Sequence, residues 1–478
     1  MSDVPLDIDA PCMPDVGEEV AEADAHRSAL SEQVRDVLGR TNGSDPIVQV
    51  SVSLPPEVDP LGWLRAQPST ESVYWSGRRA GAVVAGTGAA DCVEVHEQPV
   101  SYAALEETLT DRLARAEAPL RYYGGLRFDA RQPLPDGHPD DRWKPFGTAR
   151  FVLPRLRLVH DGASARLTCT LVLPRDGQRA DAIVETIQST PLPVPVRASA
   201  LPSPVRRTDA PTQKEWTRMV AWALRAFDQK RLDKVVLARR VALTFGEELD
   251  PLGVLQHLEP ATPGCFHFAV QPNASSAFIG ASPERLFRLE GRTLESEAVA
   301  GTRSRGDSDE ADAALRHELL ESDKDRREHA FVEDAIRDQL DALCETVAAV
   351  GETTDLELAR GRHLHSRLQG QIRPGVTPLQ VLAALHPTPA VGGVPQTDAL
   401  TAIRNQEPFD RGWYAGPVGW VGPDRAEFAV AIRSGLVRSR SMDLFSGAGI
   451  VDGSVPSREW NEIEQKIGDF AAVLGIRD

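Results

Sequence analysis

Two clusters of carboxylates lie where a helix would bury them. In Asp323-Lys324-Asp325-Arg326-Arg327-Glu328-His329, Asp325 and Glu328 stand in line with Val332, Ala335 and Ile336, the apolar stripe of the same helical pattern. In the second cluster Glu459, Glu462 and Lys466 share one helical face and are flanked by Ile463, Ile467 and Phe470. A carboxylate on a buried face is costly unless a cation neutralises it. Two readings fit. One is helix N-terminal charge balanced by neighbouring Arg and Lys. The other is an all-oxygen cage for a hard dication, where the scarcity of histidine beside the clusters favours Mg2+ over zinc.

Three further residues have chemistry to offer. Lys234 opens the apolar strand Val235-Val236-Leu237-Ala238. A lysine beside buried surface can lose its proton and act as a base, or it can simply lead its amine out to water from a strand end. Glu284, in Ala281-Ser282-Pro283-Glu284-Arg285, is either a poised acid or a partner of Arg285. Over Glu427–Gly435 the alternation predicts one strand with Phe428, Val430 and Ile432 on one side. Arg433 then falls on the other side among Ala429, Ala431 and Gly435, in a place for a bidentate carboxylate fork or a buried salt bridge.

These residues need elements to hold them. From Pro46 to about Thr190, short β-like runs (Ile47–Val52, Ser72–Ser76, Ala82–Val84, Phe151–Val159, Ala165–Leu173) alternate with turn-rich segments. A Pro-rich connector, Pro191 to Pro211, leads to a more regular part. That part begins with a helix near Thr212–Lys230, striped by Trp216, Met219, Val220, Leu224 and Phe227, and a strand at Lys234–Leu243. Helical patterns follow around Glu310–Val347 and Thr377–Leu385, then a strand at Phe428–Val437 and a last helix from Pro456 to Leu474. The mixture predicts an α+β fold with mostly antiparallel strands, not a doubly wound sheet. Residues 1–45, rich in Asp, Glu, Pro and Ala, read as a flexible acidic tail with a short helix at most over Ala25–Leu38. The expected divisions are therefore 1–45, an N-terminal lobe at 46–211 and a site-bearing region at 212–478. Removal of residues 1–40 is expected to leave turnover intact.

The 478 residues carry 53 Lys and Arg against 70 Asp and Glu, a net charge of −17. Such a surface repels nucleic acid and anionic lipid, so an anionic substrate would need local cations or a metal. The five cysteines are widely spaced, with no CxxC, and suggest neither a disulfide framework nor a zinc cluster. No apolar signal core and no long apolar run is present, which predicts a soluble, cytoplasmic protein. There is no P-loop and no GxSxG. Gly447-Ala448-Gly449-Ile450-Val451-Asp452 begins like a dinucleotide fingerprint but has Asp at the third glycine.

At these same positions the chain resembles the chorismate-utilising enzymes, the group of isochorismate, salicylate, anthranilate and aminodeoxychorismate synthases. The likeness runs from about Thr212 to Gly475 through Lys234-Val235-Val236-Leu237-Ala238-Arg239, Ser282-Pro283-Glu284-Arg285-Leu286, Ala300-Gly301-Thr302-Arg303 and Lys324-Asp325 to Glu328-His329. It continues through His386-Pro387-Thr388-Pro389-Ala390-Val391-Gly392-Gly393 and Gly447–Val451. A weaker match lies at Gly124-Gly125-Leu126-Arg127-Phe128-Asp129.

The resemblance implies one large fold of antiparallel sheets surrounded by helices and enclosing the site. It further implies that Glu328 and Glu462 bind Mg2+ directly, with Asp325 and Glu459 supporting through water. The metal would meet the ring carboxylate of chorismate, aided by Gly301-Thr302 and Lys466. Arg433 and Tyr414 would hold the enolpyruvyl carboxylate near the turn Gly447–Gly449, and His363 would bind near the ring. Lys234 would take a proton from water attacking ring carbon 2, while Glu284 protonates the hydroxyl leaving carbon 4. For this Lys234 must be neutral and Glu284 protonated near neutral pH.

Lys234 is of the water-activating type, and Ala300 stands where aminodeoxychorismate synthases place a nucleophilic lysine. Ala390 stands where salicylate synthases carry threonine. The resemblance therefore implies isochorismate synthase activity, with salicylate synthase next and a non-catalytic partner subunit as the alternative of a different class. A siderophore branch (salicylate or catechol) is the implied setting, with menaquinone supply as the other. A downstream isochorismate-pyruvate lyase or isochorismatase would be the implied partner.

Overall fold

The computed structural model describes residues 16–39, 46–68, 71–78, 81–131, 141–192 and 200–476. Within them the named strands pair antiparallel, as the α+β reading expects. The ladder forms two arms that share the strand Ala149–His160. One arm passes through Val83–Val95, Ser72–Ser76, Phe266–Asn273, Ser276–Ser282, Ser434–Arg438 and Ser441–Val451 to Lys234–Phe245. The other is shorter. It leaves through Tyr122–Leu126, Pro417–Val421, Arg425–Val430, Arg285–Glu290 and Thr293–Ser304 to Gly361–Ile372.

Rings fasten the arms together. Trp143 meets Phe146 and Phe278 edge to face, and Phe278 in turn meets Trp413. Where the arms diverge the backbones come very close. A Cβ on Gly124 would sit 1.8 Å from the Arg150 carbonyl oxygen, and one on Gly125 2.3 Å from that of Pro417. The Gly-Gly pair is thus a packing requirement.

Several expectations are corrected. Within the expected tail, residues 1–15 and 40–45 lie outside the described residues, but Val16–Gly39 is a helix with Leu30 and Val34 fully buried. It is tied to the helix Ala180–Ser189 and its cap, since Gln188 donates to Ser31 at 2.7 Å and Arg27 to the Thr190 carbonyl at 3.0 Å. The division at 211/212 is crossed by pairing of Pro204–Ala210 with Lys234–Phe245 and of Tyr122–Leu126 with Pro417–Val421. The long pattern over 310–347 breaks into Asp309–Glu321, Asp323–Leu343 and a strand, Cys344–Ala349. Ser322 makes the break by capping the second helix through the Asp325 amide.

The single strand expected over Glu427–Gly435 is two, Arg425–Val430 and Ser434–Arg438. Arg433 sits between them in the left-handed region, at φ 49°. Its side chain is therefore placed by a backbone turn and not by strand alternation. Cys92, Cys169, Cys265 and Cys344 are free thiols. No helix among the described residues is long and apolar enough to cross a membrane.

Candidate active site

The strand Lys234–Phe245 pairs along its length with Ser441–Val451, setting Lys234 against Val451, Val236 against Gly449 and Ala238 against Gly447. The helix Pro456–Val473 packs on Ser441–Val451, and the helix Asp323–Leu343, packed on Thr293–Ser304 and Gly361–Ile372, reaches the pair through Glu328. Between them is a pocket lined by all the residues singled out above. Lys234, Glu284, Gly301, Thr302, His363 and Ala390 line it together with Tyr414, Arg433, Gly447, Gly449 and Lys466. The four carboxylates Asp325, Glu328, Glu459 and Glu462 line the same pocket.

Each of these carboxylates has a cation beside it. Lys234 reaches Glu328 at 3.0 Å, Lys466 reaches Glu462 at 2.6 Å, Arg303 reaches Asp325 at 2.7 Å, and Lys324 stands 3.9 Å from Glu459. Neighbouring Arg and Lys therefore do balance the clusters, as the plainer reading had it. The balance is incomplete at Glu459, which burial and then the charge of Glu462 push up to about 7. Glu462 goes the other way. Burial opposes its ionisation, but Lys466 and the Thr302 hydroxyl hold it below the usual carboxylate range. Among the described residues no three potential ligands converge on one point at ligand distance.

Lys234 does not lead its amine out to water, being 1% exposed. Glu284 does not pair with Arg285 either, since Arg285 turns to Glu297 at 3.0 Å and Glu427 at 3.1 Å. Glu284 is left buried in the pocket wall, its amide turned to the Ser282 hydroxyl. Burial, and next to it the charge of Glu297, raises its carboxyl to about 8 against the pull of Lys234 and Lys466. At neutral pH it is an acid with a proton to give.

Two glycines make the room. A Cβ on Gly449 would lie 2.8 Å from Glu328 Oε1 and 3.2 Å from Lys234 Cε. One on Gly447 would lie 3.0 Å from the Tyr414 hydroxyl. The Gly447 carbonyl accepts from Lys466 at 3.0 Å. Gly301 has φ 68°, which turns its carbonyl onto His363 Nδ1 at 3.0 Å. A carbonyl only accepts, so Nδ1 carries the proton and Nε2 accepts from Arg433 at 3.2 Å. Burial, and then Arg433, lowers His363 to about 3, so the ring is neutral. Arg433 is held from its other side by Asp469 at 3.0 Å.

Some pocket residues were given no role on sequence grounds. Arg303 and Lys324 sit inside two of the quoted blocks, next to residues that were assigned. Asp469, behind the pocket wall where it holds Arg433, continues the helical face of Glu459, Glu462 and Lys466, and that spacing is the signal for it.

Known proteins of this shape can be set beside the geometry. Isochorismate synthase 2 of Arabidopsis thaliana is 37% identical over 374 residues, covering 76% of this chain, and the chain spans 66% of that relative's length. The salicylate biosynthesis isochorismate synthase of Pseudomonas aeruginosa is 34% identical over 468 residues, 93% of this chain and 94% of that protein. The structure of MenF, the menaquinone-specific isochorismate synthase of Escherichia coli, superposes with a TM-score of 0.80 at 28% identity, covering 94% of this chain and 99% of that one. Anthranilate synthase component I of Streptococcus pneumoniae, at 18% identity and a TM-score of 0.66, shares the fold. The family model described as chorismate binding enzyme matches residues 30–475, beginning inside the docked N-terminal helix. A match over nearly the whole chain, with full-length relatives above 30% identity, leaves one assignment: the chain belongs to the chorismate-binding enzyme family.

Proposed function

We propose that the chain is an isochorismate synthase, which adds a hydroxyl from water at ring carbon 2 of chorismate and releases the one at ring carbon 4. The observation that carries this reading is a buried carboxylic acid, Glu284, facing a buried lysine, Lys234, in one pocket with a fork-shaped cation, Arg433. In the reaction Lys234, released from Glu328 and in its neutral form, takes a proton from a water whose oxygen bonds to carbon 2. The ring double bond shifts, the carbon 4–oxygen bond breaks, and Glu284 gives the departing hydroxyl its proton. One proton is taken and one given, so the ring leaves as an isomer. Arg433 and Tyr414 hold the enolpyruvyl carboxylate, Gly301-Thr302 and Lys466 stand at the ring carboxylate, and His363 braces Arg433.

The pocket fits a hard dication in its donor chemistry. Its four carboxylates offer oxygen only, and Glu459 is held near 7 partly by the negative charge of Glu462 and Glu328, a repulsion that a dication relieves. Glu328 and Glu462 would hold Mg2+, with Asp325 and Glu459 supporting through water. Bound there, it would offset the charge of the ring carboxylate. Relatives named for salicylate and for menaquinone supply support those two settings; an isochorismate-pyruvate lyase or an isochorismatase would then act downstream on the product.

The test is incubation with chorismate and Mg2+, with products resolved by chromatography and pyruvate followed by a coupled assay. Isochorismate without pyruvate, abolished by a chelator, is the expected result. Salicylate with matching pyruvate would reassign the chain as a salicylate synthase despite Ala390. No consumption of chorismate would overturn the reading.

A further inference from the structure

The strand that carries Lys234 has a gap in its outer ladder. On one edge it is paired continuously with Ser441–Val451. On the other, Gly393–Val394 pairs with Lys234 and Val235, the Val236 amide donates to the Gly392 carbonyl at 2.8 Å, and backbone pairing resumes only at Arg240 with Ala210. Between these points the Val236 carbonyl and the Ala238 amide face a buried ion pair instead of a strand. Arg411 donates to the Val236 carbonyl at 2.8 Å, and Glu407 accepts from the Ala238 amide at 2.8 Å. Arg411 also donates to the Val391 carbonyl at 2.9 Å and to both oxygens of Glu407, at 2.9 and 2.6 Å. Its guanidinium lies 4.4 Å above the Phe128 ring and 5.7 Å from that of Tyr414.

Both side chains are almost wholly buried, at 4% and 2% exposure. Neither lines the pocket, yet the backbone they hold does, through Val236 and Val391. We infer that Arg411 and Glu407 are positioning residues, a side-chain splice that completes the ladder and fixes the Lys234 strand relative to the Ala390–Val391 wall. Only a planar fork spans these acceptors at once; a lysine at 411 keeps the charge but offers one compact amine. The inference rests on the proposed reaction for its kinetic consequence, but not for its structural one.

Arg411→Lys in the full chain tests it. Misplaced reacting groups lower kcat by roughly 10- to 100-fold, while KM for chorismate moves by less than about threefold because Arg433 and Lys466 are untouched. Hydrogen exchange read by mass spectrometry is expected to speed up in peptides covering 234–239 and 388–394, and not elsewhere. Unchanged kcat with unchanged exchange in those two segments overturns the inference. Locally faster exchange in Arg411→Lys beside a wild type that never consumes chorismate sustains the splice and sinks the proposed reaction instead. Should Arg411→Lys fail to fold, Glu407→Gln carries the same expectations. If neither folds, the pair holds the fold and not the site, and the inference is overturned.

Discussion

Among the described residues no cation makes hydrogen-bond contact with Glu284, and that decides its chemistry. A carboxyl raised to about 8 is protonated at neutral pH and loses its proton as the pH passes through that value. The acid is therefore lost on the alkaline side, and kcat/KM for chorismate is expected to fall with a limb near about pH 8. A profile that stays level to about pH 9.5, near a full log unit and more beyond that limb, would remove Glu284 from the acid's role. Gly449→Ala probes the other half of the pair. Its methyl would press on the free end of Glu328 and on Lys234 Cε, groups that can swing aside at little cost to the fold. Activity is expected to drop by roughly 10-fold or more with the melting temperature nearly unchanged; full activity would mean that the Lys234–Glu328 arrangement is not needed.

At the scale of elements, the N-terminal helix changes what truncation should do. Because Leu30 and Val34 are fully buried against the body, Leu30→Ala should cost about 2–5 kcal/mol in chemical denaturation. A loss under about 1 kcal/mol would restore the tail reading. Deleting residues 1–40 removes this helix and is expected to destabilise the chain, contrary to what composition alone suggests. Composition misled because an Ala- and Glu-rich helix needs few apolar residues to dock, and two fully buried ones on a single face suffice here. Strands with clear alternation or β-branched runs, such as Ser72–Ser76 and Ala165–Val172, were legible to within a residue or two. The turn at Arg433 was not. Alternation continues on paper straight through Ala431-Ile432-Arg433, and only tertiary packing against Asp469 and His363 shows the break. The four carboxylates were legible because they violate their own helical stripes, whereas Gly301, Thr302, His363, Ala390 and Tyr414 were legible only through the family resemblance. Arg411 and Glu407 were invisible because a side chain filling a ladder gap leaves no periodic trace.

Over the whole molecule, burial sets the response to acid. His267 and His329 are lowered by burial to about 4, and His363 and His386 to about 3. A histidine depressed in the folded state favours folding above its unfolded value of 6.5 and loses that contribution as pH falls toward the folded value. Glu284 and Glu459 act oppositely, gaining stability as pH falls from about 8 and about 7, but they stop near their ordinary value of 4.5. Below that point the histidines act without them. The melting temperature is expected to fall as pH drops below about 6.5 and more steeply below about pH 4.5; a melting temperature level down to about pH 3.5 would contradict this ordering. The two-armed sheet, by contrast, contributes a scaffold whose ladders carry Lys234, Glu284 and Arg433 from distant stretches of chain to one place.

The most direct measurement is the mass of the product formed from chorismate and Mg2+ in water enriched in oxygen-18. Attack by solvent at ring carbon 2, with Lys234 as base and Glu284 as acid, predicts isochorismate carrying one heavy oxygen in a fraction equal to the enrichment of the water. Isochorismate formed without label would mean that the hydroxyl migrates within the substrate, and would contradict the account.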